Sequence, residues 1–133
     1  MRRVSRTAAF GAALAVAALG PACGEPTGPR AGTLAVTLAT PNAGQDGAIL
    51  FTVTGPAALT ASAAPAGLRV FHESFGTTST TFIVTGTLDG GTILRIGVED
   101  LRAVGQYAVV IQQVSAADYA LRPLTGYSLT VAR

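Results

Sequence analysis

His72 is the side chain best suited to chemistry, since it is the only histidine in the chain. It stands between Phe71 and Glu73 in a run typical of a β-strand, where neighbouring side chains point to opposite faces. The sequence has no G-x-S-x-G turn to present a nucleophilic serine, and zinc needs more imidazole or thiolate ligands than one histidine supplies. We expect His72 at the surface or rim of the domain, no catalytic residue, no metal and no cofactor. A hydrolase that uses His72 is an alternative.

The carboxylates suggest calcium chemistry, because calcium takes oxygen ligands from acidic side chains and backbone carbonyls. Glu99 and Asp100, together with Asp89, are the best candidates to line a calcium loop. No 12-residue calcium-loop pattern accompanies them, and nothing singles out a pair of catalytic carboxylates. Solvated acids at strand ends are the simpler interpretation. The seven acidic residues are Glu25, Asp46, Asp89, Asp100, Asp118, Glu73 and Glu99.

Ligand-binding patterns are sparse in the rest of the chain. The hydroxyl run TTSTT, residues 77–81, suggests a binding strip, but it is more simply a loop passing into a strand with a polar outer face. Sugar recognition is weakly supported, because tryptophan is absent and the Phe and Tyr residues mostly fall in phase with core positions. A GxxxxGK[ST] phosphate loop is also absent, as expected in a chain without lysine.

The N-terminal residues have the three parts of a secretory signal. Residues 1–6 (MRRVSR) are basic, residues 7–19 (TAAFGAALAVAAL) are apolar, and Gly20-Pro21-Ala22 precede Cys23, the only cysteine. The apolar run has about 13 residues, whereas a membrane-spanning helix needs roughly 20. We therefore predict a signal peptide over residues 1–22 that forms a helix and is removed.

Ala22 and Cys23 resemble the last two positions of the lipobox of bacterial lipoproteins. Gly20 stands where that motif usually has Leu, and Pro21 where it has a small residue. The resemblance implies that the Cys23 thiol takes a diacylglyceryl group and becomes the first residue after cleavage. A lone cysteine in an exported domain has no internal disulfide partner, and acylation protects an otherwise oxidisable thiol. The alternative is cleavage of the same bond by the ordinary signal peptidase, which gives a soluble secreted or periplasmic protein.

Removal of the signal changes the charge balance of the chain. Without Arg2, Arg3 and Arg6, six arginines face seven acidic residues, a formal charge of −1. No basic patch remains to favour nucleic acid. Residues 23–32, rich in Gly and Pro, are predicted to form a flexible linker after the lipidated Cys23.

Residues 33–133 alternate short β-type runs with turn residues, which predicts one all-β domain, a small antiparallel β-sandwich. Leu34, Val36 and Leu38 fall on one face of the first run, and the second run, 48–54, alternates in the same way. Asp89-Gly90-Gly91 predicts a hairpin between two later runs. Residues 99–104 are the best helical candidate and are too short to form more than a turn. The predicted strands are 33–39, 48–54, 68–75, 80–85, 92–98, 106–114 and 127–131, with 59–63 ambiguous.

The segment Gly105-Gln106-Tyr107-Ala108-Val109 resembles the G-x-Y-x-(C/V) start of the penultimate strand in immunoglobulin-like domains. In that family the Tyr hydroxyl caps the corner of the sandwich, which makes Tyr107 the equivalent residue. Ala103 stands where those domains usually have Asp. A cohesin-like or other two-sheet sandwich fits the pattern as well, and so does Tyr107 as an ordinary core residue.

These observations together predict a non-catalytic lipoprotein of the cell envelope, anchored by lipid on Cys23. The domain is expected to act as a structural or protein-interaction module with an envelope protein partner. The lack of Asp after Cys23, where Gly24 stands, favours the outer membrane by resemblance to other lipoproteins. A secreted ligand- or carbohydrate-binding β-sandwich module without lipid is the alternative function.

Overall fold

The structure, a computed structural model, describes residues 27–133. Its strands form where apolar residues alternate with polar ones. The predicted signal peptide and Cys23 lie outside these residues. A single 3₁₀ helix, Leu101–Gln106, is found in the described part of the chain, and it matches the expected short turn. The strands are β1 Gly32–Ala39, β2 Asp46–Thr54, β3 Ala61–Ala63, β4 Arg69–Phe75, β5 Ser79–Leu88, β6 Gly91–Val98, β7 Ala108–Ala116, β8 Leu121–Arg122 and β9 Ser128–Ala132.

The strands form two packed antiparallel sheets, which confirms the predicted all-β sandwich. One sheet has four strands in the order β3-β6-β1-β9, and the other has five in the order β4-β5-β2-β7-β8. Most strands that follow each other in the chain lie in different sheets or are not adjacent. Strand β8 has two residues, too few for an alternating pattern, and the sequence did not predict it.

The core lies between the sheets and follows the predicted periodicity. Leu34, Val36 and Leu38 point inward from β1, and Phe51 and Phe82 stack at a ring-centroid distance of 5.5 Å between neighbouring strands β2 and β5. Fifteen hydrophobic side chains are buried in this layer. Their burial is the main favourable contribution to folding.

The predicted hairpin at Asp89-Gly90-Gly91 is wrong. Strands β5 and β6 flank this turn but belong to different sheets, so the turn carries the chain from one layer to the other. Both glycines have positive φ, 89° and 76°, as the tight reversal requires. Pairing fails because β5 already lies between β2 and β4, and β6 between β1 and β3.

The described part of the predicted linker contacts the domain. The Leu101 amide donates to the Arg30 carbonyl at 2.7 Å, and the Arg102 guanidinium donates to the Thr27 carbonyl at 3.3 Å. Strand β1 then begins at Gly32, one residue before the predicted start. Within residues 27–133, no helix combines the length and hydrophobicity needed to cross a membrane.

Candidate functional site

His72 lies on the exposed edge strand β4, as expected for a surface histidine. Its Nδ1 is 3.4 Å from the Ser62 Oγ of β3, and its ring centroid is 5.8 Å from that of Phe82. A nucleophile and its base normally approach to about 2.6–3.2 Å, with a third group orienting the base. No carboxylate among the described residues hydrogen-bonds to His72, and the neighbouring Glu73 points to the opposite face of the strand. The Ser62–His72 contact is therefore longer than this range, and in the described residues no carboxylate orients the ring.

The structure does not bring together the three carboxylates considered for calcium. Asp89 precedes β6 and Glu99 follows it, so this strand of eight residues separates them by about 27 Å. Asp100 instead caps the 3₁₀ helix. Nowhere in residues 27–133 do three or more potential metal-ligating side chains cluster.

Asp100 is held as a carboxylate by local donors. The Arg102 side chain and the backbone N–H groups of Arg30 and Arg102 donate to it, and these bonds lower its pKa from 3.8 to about 2. The bond from Arg30 also attaches the segment before β1 to the helix. Asp100 is thus a capping and tethering residue.

Asp46 is the most deeply buried acid in the described chain, and the sequence did not single it out. A break in strand register beside Gly47 turns Asp46 inward, although regular alternation with Ile49 would point it outward. Its carboxylate accepts from Thr40 Oγ1 at 2.7 Å, from the Tyr127 hydroxyl at 2.9 Å and from Arg122 Nε at 3.1 Å.

Both carboxylate oxygens of Asp46 are occupied by donors from three separate segments. The Tyr127 hydroxyl also accepts from the Asn42 amide at 2.8 Å, which extends the network. A general base needs an open site for the proton that it takes, and this carboxylate has none. The network therefore joins β2, β8 and the start of β9 and is structural.

Tyr107 is buried directly after the 3₁₀ helix, with its ring against Gly55. Burial raises the pKa of its hydroxyl, and the negative charges of Glu99 and Asp100 add to the shift. Within the described residues, Tyr107 donates its backbone N–H to the Val104 carbonyl at 3.2 Å, and its hydroxyl makes no corner-capping bond of the kind that the immunoglobulin-like resemblance implies. Tyr107 here is a core residue.

The strongest candidate site is an apolar depression on the outer surface of the five-stranded sheet. It has a volume of about 220 Å³ and is lined by residues of β4 and β5, with His72 at its border. Phe71 and Phe75 are each 57% exposed, and Ile83, which pairs with Phe71, is 42% exposed. We refer to the outward side chains Phe71, Glu73, Phe75, Thr81 and Ile83 as the β4–β5 face.

This face holds two exceptions to the expectation that the Phe and Tyr residues mostly fall in phase with core positions. In β4 the inward positions are held by Val70, His72 and Ser74, which pair with the inward residues of β5. Phe71 and Phe75 lie at the alternate positions of the strand, whose side chains point to solvent. Each face of this edge strand mixes apolar and polar side chains, so hydrophobicity alone does not identify the face that points to the core.

Tyr119 is a third aromatic residue outside the core. It is 88% exposed, has a φ of 70°, and borders a groove of about 460 Å³ lined mainly by small residues such as Gly44, Gly86 and Ser115. A tyrosine offers an apolar ring face and a polar hydroxyl to a ligand. The groove is the second candidate site.

Comparisons of the chain with protein-family models, with curated proteins and with solved structures find no match.

Proposed function

We propose that this chain is a non-catalytic lipoprotein of the bacterial cell envelope whose β-sandwich binds protein through the β4–β5 face. The observation that supports protein binding is the exposed apolar surface formed by Phe71, Phe75 and Ile83. Contiguous exposed apolar patches on soluble domains commonly mark interaction sites, whereas single exposed hydrophobic residues do not. The face has an edge strand on one side, which adds unpaired backbone groups to the apolar contact.

The anchoring part of the proposal is supported by the order of segments at the N-terminus. A basic start and a short apolar run lead to Cys23, and residues 27–31 then contact the 3₁₀ helix. Two acyl chains on Cys23 give stable membrane attachment, because each buried CH₂ contributes about 0.8 kcal/mol. Mass spectrometry of the mature N-terminus tests the anchor. Acylated Cys23 supports it, and a free Cys23 thiol at the mature N-terminus gives the secreted alternative.

Protein binding is tested with the full chain expressed in a diderm bacterium and captured from gently solubilised envelope. We expect Phe71→Ser and Ile83→Thr each to reduce recovery of the bound protein at least severalfold, because each removes apolar contact area. Val110→Ser is the matched control, since Val110 is 62% exposed on the same sheet but lies on β7, outside the depression. Equal recovery with all three variants would reject the β4–β5 face as the binding surface.

A second function, glycan binding, is favoured by the exposure of Tyr119 beside its groove. This function corresponds to the alternative of a carbohydrate-binding module, with or without lipid on Cys23. Sedimentation of the full chain with purified peptidoglycan tests this function, with Tyr119→Ala as the variant and Phe71→Ser as the control. Loss of co-sedimentation in Tyr119→Ala alone supports glycan binding, and no co-sedimentation of the unaltered chain rejects it for this glycan.

A further inference from the structure

Strand β4 is an open edge of the five-stranded sheet. It pairs with β5 on one side, and on its other side no backbone group hydrogen-bonds to another strand of the described chain. Every β4 residue except Val70 is exposed. Edge strands are commonly shielded by charged side chains, Pro or bulges, and β4, with the sequence RVFHESF, has no Pro and no bulge. Its two charges, Arg69 and Glu73, are of opposite sign and are able to pair with those of another strand. This edge is therefore competent to accept another strand.

The residues of β4 are complementary to the same strand running in the opposite direction. In an antiparallel pair of two β4 strands centred on Phe71, Arg69 of each copy lies opposite Glu73 of the other copy, and Phe71 lies opposite Phe71. Centring on Glu73 would oppose two carboxylates. Centring on His72 would place Phe71 opposite Glu73 and leave both charges without a partner. Charge complementarity thus selects one register.

The same register joins the apolar surfaces of the two copies. Phe71 pairs with Ile83, and Ile83 pairs with Leu50 on the next strand, all on the outer side of the sheet. In the dimer, the row of Leu50, Ile83 and Phe71 in one copy continues into the same row of the second copy, because the two Phe71 side chains lie side by side at the β4–β4 pair. The two-fold arrangement uses the β4 edge of both copies, so no third copy can add to the sheet at that edge.

We propose that the partner of the β4–β5 face is a second copy of this chain, bound through antiparallel β4–β4 pairing in the register centred on Phe71. This inference rests on the proposed function, because it identifies the protein that the face binds. The assembly has a continuous ten-stranded sheet made of two five-stranded sheets. Its core contacts are the Phe71 pair and two Arg69–Glu73 pairs.

Disulfide trapping in the full chain tests the register. Residues directly opposite in an antiparallel pair have Cα atoms about 4.5–5.5 Å apart, within the roughly 4.4–6.8 Å that a disulfide spans. We expect Phe71→Cys to form a covalent dimer under mild oxidation. Phe75→Cys is the matched control, because Phe75 is equally exposed but its two copies would lie about 26 Å apart in this register. The unaltered chain is a second control, because any disulfide-linked dimer that it forms must come from Cys23.

The outcomes separate this proposal from the proposed function. A dimer specific to Phe71→Cys supports self-pairing, and no dimer, or equal dimer with Phe75→Cys, overturns it. If self-pairing fails while Phe71→Ser still reduces capture of another envelope protein, the β4–β5 face remains the binding surface for that protein. If neither effect is seen, both proposals fail.

Charge reversal gives a second measurement that leaves Phe71 in place. In a dimer of the Glu73→Arg variant, two arginine–arginine pairs replace the two Arg69–Glu73 pairs. We therefore expect self-association, measured by analytical ultracentrifugation, to weaken by roughly tenfold or more. The double variant Arg69→Glu with Glu73→Arg restores opposite charges in the same register and is expected to recover the dimer. Failure of the double variant to recover it would contradict the Arg69–Glu73 pairing.

Discussion

At the scale of single residues, Asp46 shows how a carboxylate becomes structural. The register break beside Gly47 buries its side chain completely, and the donors from Thr40, Tyr127 and Arg122 compensate for the lost hydration. Removing the charge leaves these donors oriented toward a weaker acceptor. This network could not be predicted from the sequence, because Asp46 is separated from Arg122 and Tyr127 by more than seventy residues.

We expect Asp46→Asn to lower the free energy of unfolding by about 2–4 kcal/mol, since breaking a buried ion pair typically costs about 3–5 kcal/mol and Arg122 is partly solvated. Urea unfolding monitored by circular dichroism measures the change. Tyr127→Phe removes one donor and keeps the charge, so it is expected to cost about 1–2 kcal/mol. An unfolding midpoint for Asp46→Asn equal to that of the unaltered chain would show that the network does not stabilise the fold.

Asp100 gives the fold a defined response to acid. Because the folded-state pKa, about 2, lies below the ordinary value of 3.8, the ionised carboxylate stabilises the fold above about pH 4, and this stabilisation is lost between about pH 4 and pH 2. Asp100→Asn keeps a helix-capping side chain but does not titrate. We expect the urea midpoints of the two proteins to differ at pH 5 and to converge near pH 2. A difference that is constant with pH would contradict this role.

At the scale of elements, the junction between β2 and the 3₁₀ helix depends on a glycine. Gly55 follows β2, and a Cβ at this position would overlap the buried ring of Tyr107. We expect Gly55→Ala to destabilise the domain by about 1–3 kcal/mol through overpacking. Gly105→Ala is the control, because open space surrounds that position and its change is expected to be near zero. Thermal unfolding of both variants makes the comparison, and equal midpoints would contradict the packing role.

Alternation in the sequence predicts individual strands better than it predicts their partners. The inward sets of β1 and β2 follow directly from residues such as Leu34 and Phe51. The Asp89-Gly90-Gly91 turn has the local chemistry of a hairpin, but strand pairing is decided by non-local neighbours that occupy both edges of β5. Phe71 shows a related limit, because an edge strand buries too little area for hydrophobicity to identify its inward face.

At the scale of the whole molecule, we propose that lipid on Cys23 anchors a sandwich that binds protein at its β4 edge. We expect Cys23→Ser to move the protein from the membrane fraction to the soluble periplasmic fraction, because the acyl chains supply the attachment. Cell fractionation followed by immunoblotting measures the distribution. Asp46→Asn serves as a control for effects of reduced stability. Retention of Cys23→Ser in the membrane fraction would contradict lipid anchoring.

In the envelope, we expect protein to cover the β4–β5 face. Hydrogen exchange of peptides from β4 measures this, with β9, an edge strand of the other sheet, as the internal reference. The full chain is compared in membrane vesicles from the expressing cells and at high dilution in detergent. We predict that β4 exchanges severalfold more slowly in the vesicles while β9 is unchanged. Equally fast exchange of β4 in both preparations would contradict protein binding at this face.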